Sequence, residues 1–222
     1  MAPKQPPKNP PNKPQKPLTL LQQLEKRISQ KQVDRFSKEA EKWITSQVSS
    51  FRGASVGDRI IKDETKNRRN IRGNPKQPIN LGQLVFFIYD AKHKDTLKWW
   101  DAAPLTLITS IEKDRMNGIN FHIVVPKMRA YIFDILMQIT TNKKFDDTTK
   151  IRLTYGLIKK MSQLKMLRVC YREYLFSHIR SKLVIIQPKD WNLVIYLNIY
   201  RFQKASASTI WSEIQTATNQ LK

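Results

Sequence analysis

Cysteine occurs once in the 222 residues, at Cys170. An internal disulfide and a cysteine-based zinc site are thereby excluded, and nothing points to an oxidising compartment. Glycine is scarce, with six in all, and none falls into the GxGxxG or GxxxxGK spacing that cradles a nucleotide phosphate. The three histidines, His93, His122 and His178, stand far apart, with no HxxxH or HxH pair to begin a metal site. No run of about 20 apolar residues could span a bilayer. The lysines near the start have no apolar segment behind them, so no secretory signal is expected. These absences predict a soluble protein made in a cytoplasm, with no cofactor, no membrane partner and no small-molecule substrate.

Acidic residues are also few: 18 Asp and Glu stand against 40 Lys and Arg, a formal charge of +22. Such an imbalance concerns partners and association rate, not fold. Nucleic acid is the partner it suits best, ahead of an anionic membrane or an acidic protein surface. Hydrophobic residues make up 40% of the chain, enough for a buried core.

Along the chain the composition changes three times. Residues 1–17 hold seven of the twelve prolines, with Lys4, Lys8, Lys13 and Lys16 and no acid. Proline removes backbone donors, so a flexible, polyproline-like tail is expected there. Over residues 18–51 the apolar spacing becomes helical, with Leu21, Leu24 and Ile28, then Val33, Phe36, Ala40, Trp43, Ile44, Val48 and Phe51. One long or two consecutive amphipathic helices are predicted, docked on the core or on another protein. Residues 52–80 form a basic linker, in which Arg59, Lys62, Lys66, Arg68, Arg69 and Arg72 are candidate phosphate contacts.

Residues 81–222 are predicted to be the globular domain. Residues 84–89 and 105–111 read as strands. Asn117-Gly118 reads as the tight turn of a hairpin whose second strand is 119–125. Pro126 suits the first turn of a helix carrying Tyr131, Ile132, Ile135, Leu136 and Ile139. Asp146 is a candidate cap for a second helix reaching about Gln163, and a third is predicted over 165–179. Two more strands, 183–186 and 193–197, precede a C-terminal helix over 208–221. Strands and helices come in blocks, so the expected class is α+β: a small antiparallel or mixed sheet packed with several helices.

No catalytic constellation emerges, and the chain is expected not to be an enzyme. Asp90, Asp95, Asp101 and Asp114 cluster as a magnesium nuclease would require, but Glu112-Lys113-Asp114 breaks the Glu-x-Lys spacing of that chemistry. Cys170, among Leu167, Val169 and Tyr171, reads as a buried thiol. The turn at residues 90–95 offers Lys92, Lys94 and His93 as a phosphate grip, with Asp90 and Asp95 fixing the loop. Trp99 and Trp100 could stack on bases at a DNA end, although adjacent tryptophans are more often core. Arg152, Lys159 and Lys160 fall on or beside one helix face and predict a rigid basic surface.

Several anchors occur in a recognisable order. They are Phe87-Ile88-Tyr89-Asp90-Ala91-Lys92-His93-Lys94-Asp95-Thr96-Leu97 and Trp99-Trp100-Asp101 with Pro104-Leu105. Next come Gly118-Ile119-Asn120-Phe121-His122 with Pro126 and Arg129-Ala130, then Tyr174-Leu175-Phe176-Ser177-His178-Ile179-Arg180-Ser181 with Pro188 and Trp191. Over about residues 80–215 this text resembles the DNA end protector family of T-even-type contractile-tailed phages. It departs from the family pattern at Leu97-Lys98-Trp99-Trp100 and at Val124-Val125-Pro126. The resemblance implies a virion protein of the head or neck that sits on the packaged double-stranded DNA end and shields it from exonucleases. It supplies no catalytic residues. The rival reading is a structural neck, tail or baseplate component whose basic surface meets acidic virion proteins.

Overall fold

The computed structural model describes residues 17–49, 79–197 and 201–221. Two helices open it, α1 (Leu20–Ser29) and α2 (Val33–Ser49), separated where Lys31 takes a positive φ of 55°. Thr19 and Gln22 form a reciprocal capping box at the start of α1. The Asp134 carboxylate adds a long-range cap, accepting from the Leu20 and Leu21 amides at 2.7 and 3.0 Å. An anion is favoured at that end because the first amides of a helix lack intrahelical partners. Leu20, Leu24, Ala40 and Ile44 are buried in the main core, so the described part of the predicted stripe docks on the core, while Ile28 remains exposed and Phe51 lies outside the described residues.

Five antiparallel strands form the sheet: β1 (Leu84–Phe86), β3 (Leu105–Ile111), β4 (Arg115–Asn120), β5 (Tyr171–Leu175) and β6 (Val184–Ile186). Their spatial order is β5-β4-β3-β1-β6, and a separate pair joins β2 (Trp100–Asp101) to β7 (Phe202–Gln203). Alternation sends Leu84, Phe86, Leu105, Leu107 and Ile119 into one core, and Val85, Phe87, Ile108, Met116 and Tyr174 into another. Both faces are therefore covered, which is why residues 84–87 read as an unbroken apolar run.

Helices α3 (Pro126–Thr140), α4 (Asp147–Gln163), α5 (Lys165–Arg168), α6 (Trp191–Val194) and α7 (Ala207–Gln220) complete the α+β fold. Pro126 takes the first turn of α3, and the Asp146 carboxylate accepts from Thr149 N at 2.7 Å to cap α4. Phe121, Phe133 and Trp191 stack at ring spacings of 5.0 and 5.1 Å, tying α3 and α6 to the end of β4. Arg129 is fully buried in α3, yet its guanidinium donates to the carbonyls of Val124, Leu197 and His122 at 2.7, 2.9 and 3.3 Å.

Four local expectations give way to tertiary pairing. Asn117 and Gly118 lie inside β4, opposite Ser110 and Ile108, and the reversal falls at residues 112–114. Gly118 serves close approach: a Cβ there would lie 2.2 Å from Thr106 Cγ2 and 2.5 Å from the Leu107 carbonyl oxygen. Residues 119–125 do not continue as a strand, because Asn120 Oδ1 accepts from His122 N at 2.9 Å and starts a 3₁₀ turn at Phe121–Ile123. The predicted helix over 165–179 stops at Arg168. Residues 171–175 pair instead with β4, where Met116 faces Tyr174 and Ile119 faces Tyr171. Residues 193–197 belong to α6 and the turn after it, whose Leu197 carbonyl is held by Arg129. A short run buried on all sides has no periodicity to separate strand from helix.

Candidate nucleic-acid interface

Several of the stretches carrying the sequence anchors meet around β2. Asp101 is buried, with one carboxylate oxygen accepting from the Ala103 and Arg201 amides at 3.0 and 3.3 Å. The other oxygen lies 2.7 Å from His122 Nδ1 and accepts from Asn120 Nδ2 at 3.0 Å. Burial pushes the Asp101 carboxyl upward, but the charge and hydrogen bond of His122, with the Asn120 and Ala103 bonds, outweigh it and hold it below its ordinary value. The 87–90 and 176–181 anchors dock on each other in the same region. Asp90 N donates to His178 O at 3.0 Å, Arg180 N to Ile88 O at 2.8 Å, and His178 Nδ1 contacts Asp90 O at 2.8 Å.

Above Asp101 a cleft of about 350 Å³ opens, lined by Lys92, His93, Leu97, Trp99, Trp100 and Arg172 among others. The Trp99 indole N–H donates to Glu213 at 2.9 Å, Phe202 meets its ring edge-on at 5.6 Å, and the Arg172 guanidinium lies 5.1 Å from its centroid. Trp100 is half-buried against the second core, with Lys204 Nζ 5.7 Å from its ring centroid. Both tryptophans thus combine core packing with a share of the cleft wall. Arg115, also in the lining, is already paired with Asp114 and Glu173 at 2.9 Å each.

The 90–97 turn is pinned from two sides. Asp90 holds Lys94 at 3.1 Å and Arg180 at 3.4 Å, and these bonds keep its carboxyl below the usual range. Asp95 contributes its carbonyl, not its side chain: Lys204 Nζ donates to the carbonyls of Lys94, Asp95 and Leu97 at 2.5, 3.0 and 3.3 Å. Lys92 and His93 stay exposed at the rim, whereas Lys94 is drawn into the Asp90 pair. Arg172 and Lys204 had no local sequence signal for this site. The β4–β5 and β2–β7 pairings bring them there.

Arg152, Lys159 and Lys160 are exposed on α4, away from the residues lining the cleft. Gly156 lies between them, and a Cβ added there would meet nothing within 4 Å. Ile151 and Tyr155, 67% and 57% exposed, share the outward side of the helix. Arg59, Lys62, Lys66, Arg68, Arg69 and Arg72 lie outside the described residues.

Cys170 is buried, with its thiol directed at the carbonyls of Ile123 and Met166, and burial pushes its pKa up to about 12. Among the described residues no three His, Cys, Asp or Glu converge on a metal position, and no helix is long and apolar enough to cross a membrane.

No curated protein and no solved structure matches the chain. A family does: the phage T4 terminal DNA protecting protein, matched over residues 7–214. The match begins far ahead of residue 80, where the motif resemblance starts, and takes in α1 and α2. With more than half its length covered and the anchor stretches joined around one buried Asp101–His122 contact, the chain belongs to the phage T4 terminal DNA protecting protein family.

Proposed function

We propose that the protein is a virion component that occupies the end of packaged duplex DNA and excludes exonucleases sterically. The family membership over residues 7–214 carries this reading. The exposed cations Arg152, Lys159 and Lys160 on a rigid helix supply a physical means, as phosphate contacts that position without reading sequence. Lys92 adds a cation at the cleft rim, and Arg59, Lys62, Lys66, Arg68, Arg69 and Arg72 would reach phosphates from the linker. An end covered in this way is closed to an enzyme that must thread it, with no bond made or broken by the protector.

Linear duplex DNA preincubated with the protein should resist exonuclease without any metal or nucleotide requirement of the protector itself. Affinity should fall by about 0.9 log units per log of salt for each phosphate neutralised. Replacing Arg68, Arg69, Arg72, Lys159 and Lys160 together by Glu should remove the resistance and leave thermal unfolding unchanged. Protection that survives this reversal, or nicking of DNA by the protein alone with magnesium, would overturn the mechanism.

A second reading is favoured by one observation. Ile151 and Tyr155 present apolar surface beside the α4 cations, as a contact with an acidic neck, tail or baseplate protein would need. Symmetric contacts of α4 with such a protein in virion density, far from the DNA terminus, would select it.

A further inference from the structure

Duplex phosphates need only exposed cations, but this protein also builds a concave aromatic site. Trp99 is held by the Glu213 hydrogen bond, the Phe202 edge and the Arg172 guanidinium; Trp100 is braced by the second core. Leu97, 40% exposed, adds an apolar wall, and Lys92 and His93 stand at the rim. The carboxylates of the same cleft do not oppose an anion. Asp101 is engaged by His122, and Glu173 by Arg115 at 2.9 Å.

We propose that this cleft takes one unpaired nucleotide at the DNA terminus, its base against Trp100 and its phosphate at Lys92 and His93. The proposal rests on the end-binding reading above and specifies which end structure is bound. Small-molecule sites span about 300–1,000 Å³, and the cleft, at about 350 Å³, lies at the lower limit. One nucleotide suits that volume, whereas a base pair with both its backbones does not. Aromatic stacking tolerates any base, since every base has a π face, so the site accepts a terminus of any sequence. Lys204 couples the parts: it carries the 90–97 turn on three carbonyls and lies 5.7 Å from the Trp100 ring.

The test uses hairpin duplexes with a single open end, read by fluorescence anisotropy with the full-length protein. One end is blunt, one carries a single unpaired nucleotide on the 5′ or 3′ strand, and one carries an abasic nucleotide there. The overhang on one strand should bind about tenfold more tightly than the blunt end, the effect expected of one stacked base. The abasic overhang should lose that gain. Trp100→Ala should bring the overhang-to-blunt ratio to about one, and Trp100→Phe should restore most of it. Equal binding of all ends by the unaltered protein, or an undiminished ratio in Trp100→Ala, would overturn the proposal. So would a Glu-rich peptide that displaces the overhang while the blunt duplex stays bound. Failure of every DNA to bind would instead overturn the end-protection reading on which it stands.

Discussion

Asp101 Oδ2 lies 2.7 Å from His122 Nδ1 with both side chains withdrawn from solvent, joining the strand that bears Trp100 to the end of β4. Asn120 completes the arrangement by donating to the same oxygen at 3.0 Å. Asp101 and Asn120 line the cleft, and His122 holds the Asp101 carboxylate in place from outside the lining.

Removing the charge at this contact should be costly. Asp101→Asn leaves His122 facing a neutral amide in a buried site, a change on the order of 3–5 kcal/mol. The Asp101 carboxyl is held below its ordinary value of 3.8, so its stabilisation is full above that pH and is lost as pH falls through the folded value. Denaturant unfolding from about pH 5 down to about pH 2 should therefore show less acid dependence in Asp101→Asn than in the parent. Equal pH slopes would show that the carboxylate contributes no linkage.

Arg129 offers a second buried polar centre. Its guanidinium donates to Val124, Leu197 and His122 carbonyls, so Arg129→Met would strand acceptors away from water. A loss of about 3 kcal/mol or more is expected, read as the urea midpoint at constant slope. Arg129→Lys should recover little, because one ammonium cannot reproduce the planar fork.

Two glycines should respond with opposite signs. Gly118→Ala forces a Cβ to 2.2 Å from Thr106 and 2.5 Å from the Leu107 carbonyl, which should destabilise by roughly 1–3 kcal/mol. At Gly156 a Cβ meets nothing within 4 Å, and alanine is the better helix former. Gly156→Ala should therefore stabilise by about 0.5–1 kcal/mol. Thermal unfolding of both variants checks the pair, and destabilisation by Gly156→Ala would show that its free side is not open.

Lys204 should govern the order of the cleft rim. Lys204→Ala removes the donor shared by Lys94, Asp95 and Leu97 carbonyls. Trypsin should then cut faster after Lys92, Lys94 or Lys98, while global stability changes by no more than about 1 kcal/mol for an exposed contact. Unchanged cleavage rates would mean that the Asp90 pairs alone hold the turn.

Where the deciding interaction is local, the sequence was sufficient. Asp146 caps the helix that begins beside it, and Pro126 fits the first turn of α3. The 3.6-residue period places Ile132, Leu136 and Ile139 on the buried face of α3, although Tyr131 of the same stripe is 50% exposed and Phe133 is buried instead. The α+β class was legible as well, and residues 18–51 read as one long or two consecutive amphipathic helices, of which the structure has two. So was the closeness of Lys92, Trp99 and Trp100, which are near neighbours in the chain. Tertiary structure decided the rest. Asn117-Gly118 carries turn chemistry, yet packing against Thr106 claims Gly118 for a strand interior. Residues 171–175 could continue a helix, but the edge of β4 offers backbone partners that a helix there would leave unused. Arg172 reaches the cleft, and Lys204 the turn at its rim, only through pairings between segments distant in sequence. Periodicity and capping describe neighbours along the chain, whereas burial and strand pairing depend on which distant segment arrives, and that is set by the whole fold at once.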